Sequence, residues 1–276
     1  MSVKTRMKCL LGEGIFHGVM RTDEWLNEHF DQPLKICGQL KNKFKEENPE
    51  KIYQYLLNFG MYKPNRKTYF TFKKMKEEKI WEKVELLFKK YRNKWKGPNV
   101  HIYIFPIAST NSFFTNRQNV KSGIAFADML FLFLTPLGDE TELEALFIHE
   151  YHHVCRLNRQ KKSLEDVTLL DSIVMEGLAE YAVETSCGPK YRANWCTNYT
   201  RKEIFHYWKR YIQERLTMKK TEKKHDEILY GGRNIPKMLG YAAGYEMVSI
   251  YKEDNNLSIK QSFLLPAERF LLQIES

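Results

Sequence analysis

The sequence has no long apolar run and no paired cysteines, and both absences narrow the class of protein. No stretch approaches the roughly 18 apolar residues that cross a bilayer, so no transmembrane helix is expected. The five cysteines are an odd number and include no C-x-x-C pair, which favours reduced thiols over a disulfide framework. Glu13 and His17 interrupt the apolar stretch behind the basic N-terminus, which is a poor signal peptide. We therefore expect a cytoplasmic protein.

Internal repeats and low-complexity segments are also absent. Of the 276 residues, 43% are hydrophobic and 14% are aromatic, which is typical of a globular chain and not of a disordered one. A chain of this length can form one large domain or two small ones.

The net charge is +10, and the excess is concentrated in residues 61–97, which hold thirteen basic and four acidic residues. A basic surface with interleaved aromatic side chains can bind nucleic acid or an anionic membrane. The aromatic residues of the segment recur at helical spacing, which favours a solvated helix face with its aromatic side chains turned to the core. These residues are Tyr69, Phe70, Phe72, Trp81, Phe88, Tyr91 and Trp95.

The most informative motif is His149-Glu150-x-x-His153, an H-E-x-x-H pattern. Residues four apart on a helix lie about 40° from each other around the axis, so both imidazoles can reach one metal ion. Glu150 lies beside them and can take a proton from a metal-bound water. Zinc suits this ligand type and keeps an open position for water. The motif therefore predicts a zinc centre with Glu150 as general base.

The surroundings of the motif predict a helix. Thr141-x-x-Glu144 resembles a capping box, and apolar residues at helical spacing follow it. His152 lies three residues after His149 and is an alternative ligand, but its use would take Glu150 out of alignment. We expect His152 to be a packed or hydrogen-bonded neighbour of the site.

A second helix is predicted to supply the third ligand. Thr168-x-x-Asp171 is another capping-box pattern, and Glu176 and Glu180 fall on one stripe of the helix that it opens. Two carboxylates in an apolar setting need a compensating cation or hydrogen-bond donor, and a zinc ion bound by Glu176 would be such a cation. Glu176 is the favoured ligand and Glu180 its rival. One turn further on, Glu180 can instead accept a hydrogen bond from the far ring N–H of His149 or His153.

These motifs resemble the gluzincin zinc metallopeptidases, whose third ligand is a glutamate on a following helix. More closely, the chain from about Gly18 onward resembles the YjaZ-like Zn-dependent protease family of Gram-positive bacteria. The matching stretches are His149-Glu150-Tyr151-His152-His153, Leu170-Asp171-Ser172-Ile173, Glu176-Gly177-Leu178-Ala179-Glu180 and Pro236-x-x-x-Gly240-Tyr241-x-x-Gly244-Tyr245. The N-terminal stretches Arg21-Thr22-Asp23-Glu24-Trp25-Leu26 and Phe59-Gly60-Met61-Tyr62 also resemble the family. The resemblance implies a zinc peptidase with one zinc ion per chain and a peptide or protein substrate.

The expected fold is α+β and mainly helical. It has a zincin-like core with a small mixed or antiparallel sheet and an N-terminal helical region. β-branched and aromatic runs predict strands at 100–105, 123–126 and 129–134. The expected divisions are an extension (1–17), a helical region (18–97) and a catalytic domain (98–276), with one integrated domain as the alternative for the last two. In zincins an edge strand binds the substrate backbone, so the resemblance assigns that role to Gly123, Ile124, Ala125 and Phe126.

Hydrolysis also needs a hydrogen-bond donor for the developing oxyanion. By resemblance the candidates are Tyr245 first and Tyr241 second, with His206 and His225 weaker. The glycines Gly240 and Gly244 share a helix stripe and allow close approach to a neighbouring helix.

Two other functions remain as alternatives. The first is a catalytically silent zinc protein that contacts nucleic acid or an anionic membrane through residues 61–97. The second is a di-iron carboxylate protein, because Glu150-x-x-His153 and Glu203-x-x-His206 are two E-x-x-H motifs with Glu176 between them. The strand-like segment before the first motif leaves that bundle without its fourth helix.

Overall fold

The structure, a computed structural model, describes residues 18–108, 121–163, 165–232 and 234–273, so the predicted extension 1–17 lies outside it. The fold is mainly helical with a small mixed sheet, which confirms the expected class. None of the helices in these ranges is long and apolar enough to cross a membrane. The elements are β1 (Gly18–Val19), α1 (Thr22–His29), α2 (Pro33–Gly38), α3 (Lys41–Phe44), α4 (Pro49–Leu57), α5 (Arg66–Glu77), α6 (Ile80–Trp95), β2 (His101–Pro106), β3 (Lys121–Ala125), β4 (Met129–Leu134), α7 (Glu140–Gln160), α8 (Leu169–Cys187), α9 (Arg201–Tyr207), α10 (Lys223–Tyr230), α11 (Leu239–Asp254) and α12 (Ile259–Leu264).

The four strands form one sheet in the order β1-β2-β4-β3. β1, β2 and β4 run parallel, whereas β3 runs antiparallel to β4. Every residue of β2 and β4 is buried, and the almost wholly apolar sequence of β4 predicts this for that strand. β3 is half-buried throughout and lies at an edge of the sheet. This edge strand lies against α7.

The N-terminal helices pack on the sheet and on α7 in one continuous core. That core includes Leu26 of α1, Trp81 of α6, Ile104 of β2 and Phe147 of α7. A second core joins α8 to α11, through residues such as Ile173 and Ala243. The division between 18–97 and 98–276 stays a prediction, but the first core contains side chains from both segments.

The basic segment forms α5 and α6, which are separated at Lys79, a residue with φ of 54°. Phe72, Trp81, Phe88, Tyr91 and Trp95 are buried, as the helix-face interpretation predicts. Tyr69 and Phe70 of α5 depart from it, since they are 41% and 54% exposed.

The two long helices at the site begin in different ways. The capping box predicted at Thr168 and Asp171 is confirmed, since each side chain accepts from the other residue's backbone N–H. The box predicted at Thr141 and Glu144 is wrong. Asp139 caps α7 instead by accepting from the Thr141 N–H at 2.9 Å, while the Glu144 carboxylate binds Lys90 and Tyr91.

Candidate metal centre and its cleft

Two histidines of α7 face α8 one helical turn apart. The Nε2 atoms of His149 and His153 lie 3.0 Å from each other. Their rings meet nearly edge to face, with centroids 4.6 Å apart, so both Nε2 lone pairs can converge on one point. The four-residue spacing of the H-E-x-x-H motif therefore brings the two imidazoles together on one face of α7, as helix geometry predicts.

Glu176 of α8 completes the cluster. Its Oε2 atom lies 3.2 Å from His149 Nε2 and 3.4 Å from His153 Nε2. Ligands at about 2.0–2.1 Å from a tetrahedral zinc ion are about 3.3 Å apart, close to the spacing of these atoms. Among the described residues, these three side chains form a group that could hold a metal ion.

The hydrogen bonding at Glu176 fits a cation in that position. Glu176 Oε2 is buried and has no hydrogen-bond partner among the described residues, although it faces two ring nitrogens. A buried carboxylate oxygen without a donor is costly unless a cation compensates it. Two neutral imidazoles and one carboxylate are the ligand set that zinc accepts. The residues present therefore fit a zinc ion.

Glu180 orients the first histidine. Its Oε1 atom lies 2.7 Å from His149 Nδ1, and its Oε2 atom accepts from the Ala193 N–H at 2.7 Å. A proton on His149 Nδ1 leaves the Nε2 lone pair free for a metal. Burial lowers the pKa of His149, but Glu176 and Glu180 outweigh burial and raise that pKa well above its usual value. The ring thus lies in a site that favours positive charge.

Glu150 is not part of this group of ligands and lies against β3. A Cβ atom added to Gly123 would lie 2.6 Å from Glu150 Cδ, so only glycine leaves room for this carboxylate. Glu150 is buried, and burial raises its pKa above the usual value for glutamate. A raised pKa makes a carboxylate a better proton acceptor.

The outer edge of β3 offers free backbone groups next to Glu150. Phe126 lies just beyond the strand, and its N–H donates to the Met129 carbonyl at 2.8 Å. Because hydrogen-bonded pairs alternate in an antiparallel ladder, Ile124 also bonds to β4, and Gly123 and Ala125 direct their N–H and C=O groups outward. Among the described residues, no strand pairs with this edge.

The two candidate tyrosines of α11 lie in different surroundings. The Tyr241 side chain lines the same cleft as the metal cluster, and its ring contacts those of Trp195 and Tyr230. Burial and the Glu176 charge raise the pKa of Tyr241 well above its usual value, so its hydroxyl stays protonated and can donate.

Tyr245 is not brought to the metal cluster. Its hydroxyl donates to Glu184 at 2.9 Å and accepts from Arg192, whose guanidinium also covers the ring. The sequence analysis ranked Tyr245 above Tyr241 as the hydrogen-bond donor, whereas their positions in the structure favour Tyr241. Because the two tyrosines are four residues apart on α11, they lie on the same side of the helix. The spacing alone does not predict which of them lies in the cleft.

Close packing of α8 and α11 sets the position of Tyr241. A Cβ on Gly244 would collide with the Ile173 carbonyl, and one on Gly177 would collide with the Gly244 carbonyl. Gly240 packs in the same way against Leu229 of α10. The expected close approach at Gly240 and Gly244 is confirmed, and it brings the Tyr241 turn of α11 beside α8.

The remaining histidines lie outside the cluster. His152 is fully buried, and its Nε2 atom lies 2.8 Å from Ser262 Oγ. Burial lowers the pKa of His152 well below its usual value, so it is a neutral packed neighbour. His225 is also buried, 3.0 Å from Ser172 Oγ. His206 is exposed against Tyr207.

The second E-x-x-H motif does not contribute to the metal cluster. The Glu203 carboxylate accepts from the Thr200 N–H at the start of α9. Neither Glu203 nor His206 belongs to the group of possible ligands among the described residues. The arrangement expected of a di-iron bundle is therefore not formed here.

The cleft has a volume of about 1890 Å³ and runs between β3 on one side and α8, α10 and α11 on the other. One of its walls contains Tyr230, which the sequence did not single out. Tyr230 is 44% exposed and lies beside Tyr241. No spacing links it to the H-E-x-x-H motif, because α10 reaches the cleft only through tertiary packing.

Residues 80–272 match the model of the family described as "Predicted Zn-dependent protease (DUF2268)". The "Uncharacterized protein YjaZ" of Bacillus subtilis (strain 168) is 37% identical over 255 residues, which is 92% of this chain and 98% of that protein. No solved structure matches the chain significantly. The chain therefore belongs to this family of predicted Zn-dependent proteases.

Proposed function

We propose that the protein is a zinc-dependent metallopeptidase that hydrolyses peptide bonds. The observation that carries this proposal is the joint placement of four side chains. His149, His153 and Glu176 converge within 3.0–3.4 Å, and Glu150 lies beside them against β3. The outer edge of β3 pairs with no other strand in the part of the chain that the structure describes. The same cleft contains the cluster, the strand and Tyr241.

His149, His153 and Glu176 would hold the zinc ion, and Glu180 would keep His149 in the tautomer that ligation requires. When bound there, zinc would supply Lewis acidity toward the scissile carbonyl and toward a water molecule, whose pKa such a site lowers to about 7. Gly123 and Ala125 hold the substrate backbone by pairing with it as an added strand.

Glu150 takes a proton from the attacking water and later delivers it to the leaving amine. Its burial beside Gly123 holds the carboxylate in one place and strengthens it as a base. The Tyr241 hydroxyl donates a hydrogen bond to the oxygen that gains negative charge during the attack. Tyr245 has no part in this step, because Glu184 and Arg192 bind its hydroxyl.

The test compares the wild-type chain with Glu150→Gln on a mixed peptide library read by mass spectrometry. The substituted amide retains the size of the carboxylate side chain but cannot accept the proton. We expect cleavage by the wild type only, with equal zinc content in both proteins. Equal cleavage by both would overturn the role of Glu150. Failure of both to cleave any peptide would overturn the peptidase proposal and favour the silent zinc protein.

A further inference from the structure

The two faces of β3 meet different parts of the protein. Gly123 faces α7, because a Cβ there would meet Glu150, and Lys121 faces the same way, because its ammonium binds the Glu142 carbonyl at 3.0 Å. Side chains alternate along a strand, so Ile124 and the following Phe126 point to the opposite face. Phe126 indeed contacts Tyr55 of α4 there, at 6.4 Å between ring centroids.

An apolar surface lies on that opposite face and continues into the cleft. We call it the aromatic shelf, and it consists of Tyr55, Phe59, Ile124 and Phe126, all of which line the same cleft as the metal cluster. The rings of Tyr55 and Phe59 lie 5.1 Å apart. Tyr55 is 39% exposed, and the other three are half-buried.

The shelf is held rigidly from behind. Phe44 of α3 contacts both Tyr55 and Phe126, at 5.9 and 5.8 Å between ring centroids. Phe126 also contacts the fully buried Phe131 of β4 at 6.2 Å. Preformed aromatic surface inside a cleft is typical of a ligand site, whereas a lone exposed side chain needs no explanation.

A peptide that pairs with β3 would reach both faces in alternation. Cross-strand neighbours point to the same face, so the substrate residue opposite Gly123 faces α7 and Glu150. The substrate residue opposite Ile124, one position along, faces the shelf. We propose that the aromatic shelf is a specificity site that selects substrates with a large apolar or aromatic side chain at that position. This inference rests on the proposed peptidase function.

Peptides that end in a hydroxamate test the inference, because the hydroxamate binds zinc and fixes the position of the peptide in the cleft. The probes are fluorescently labelled hexapeptide hydroxamates, one all-alanine and five with a single phenylalanine at successive positions. Binding to the zinc-loaded chain is measured by fluorescence anisotropy, so the result does not depend on cleavage. The test variant is Tyr55→Ala, and its control is Tyr69→Ala, an equally exposed tyrosine on α5.

We expect phenylalanine at a shelf-facing position to tighten binding about tenfold, in line with partial burial of one aromatic ring. Tyr55→Ala should reduce that gain below about threefold, whereas Tyr69→Ala should retain it. Equal binding of all six probes, or equal effects of the two variants, would overturn the proposed role of the aromatic shelf but not the assignment of the metal centre. If the all-alanine hydroxamate does not bind, both the proposed metal centre and the proposed role of the aromatic shelf would be overturned.

Discussion

The two walls of the cleft are built in different ways. On the metal wall, α7 and α8 present side chains at spacings of three and four residues, and these side chains meet each other directly. On the strand wall, β3 presents backbone groups and a glycine, and their positions depend on pairing with β4 and packing on α7. The comparison shows that each helix of the metal wall arranges its own polar side chains by local spacing, whereas the strand wall is arranged by pairing and packing between distant segments.

Removing a ligand from the metal wall should have the largest effect. We expect His153→Ala to bind less than one zinc ion per chain, because two protein ligands hold zinc far less tightly than three. Its kcat/KM should fall by at least about a thousandfold. Zinc content and peptide hydrolysis measure this. His206→Ala is the matched control, since His206 is exposed and outside the cluster. Full zinc content in His153→Ala would contradict the ligand assignment.

Gly123→Ala tests the strand wall with a single added methyl group. Its Cβ would lie 2.6 Å from Glu150 Cδ and would displace the base, so we expect kcat to fall by about a hundredfold. Zinc content should not change, because no ligand moves. Gly138→Ala is the control, since no atom lies within 4 Å of its added Cβ. Activity within a few-fold of the wild type would show that the position of the Glu150 carboxylate against Gly123 is not required for catalysis.

The tyrosines of α11 sharpen the comparison, because they share a helix and differ only in what they face. Tyr241→Phe should lower kcat by about a hundredfold, the size of effect that loss of one oxyanion donor has. Tyr245→Phe should change kcat less than about threefold, because the Tyr245 hydroxyl binds Glu184 and Arg192. Steady-state kinetics on one cleaved peptide measure both, and the reverse ranking would restore Tyr245 as the donor.

The smallest effect is expected behind the metal wall. Glu180→Gln keeps a hydrogen-bond acceptor for His149 but removes the negative charge, so zinc affinity should fall by about ten- to a hundredfold. Competition with a zinc chelator of known affinity measures the change. Unchanged affinity would mean that the Ala193 and His149 hydrogen bonds of Glu180 serve the fold alone.

Helical periodicity pairs His149 with His153 and puts Glu176 and Glu180 on one stripe, so much of the metal wall could be predicted from sequence. Which of the two glutamates meets the histidines depends on how α8 packs against α7. The capping box at the start of α9, between Thr200 and Glu203, has the T-x-x-E pattern in the sequence, and the central strand Met129–Leu134 likewise follows from its local apolar run. The start of α7 could not be predicted in the same way. Asp139 and Thr141 are both good capping residues, and the Glu144 side chain is held by α6, which is remote in sequence.

The strand wall and the position of Tyr241 depend on contacts that no local pattern contains. The face that Gly123 presents to Glu150 depends on the register of β3 with β4. The choice between Tyr241 and Tyr245 depends on where α11 crosses α8 at Gly177 and Gly244. Tyr230 enters the site only because α10 packs against α11.

The central claim is that three side chains on two helices hold one zinc ion. X-ray absorption at the zinc edge, together with zinc content of the purified chain, tests it most directly. We predict one zinc ion per chain with only nitrogen and oxygen neighbours at about 2.0–2.2 Å, including two imidazoles. A sulfur neighbour at about 2.3 Å, or two metal ions per chain, would contradict the account.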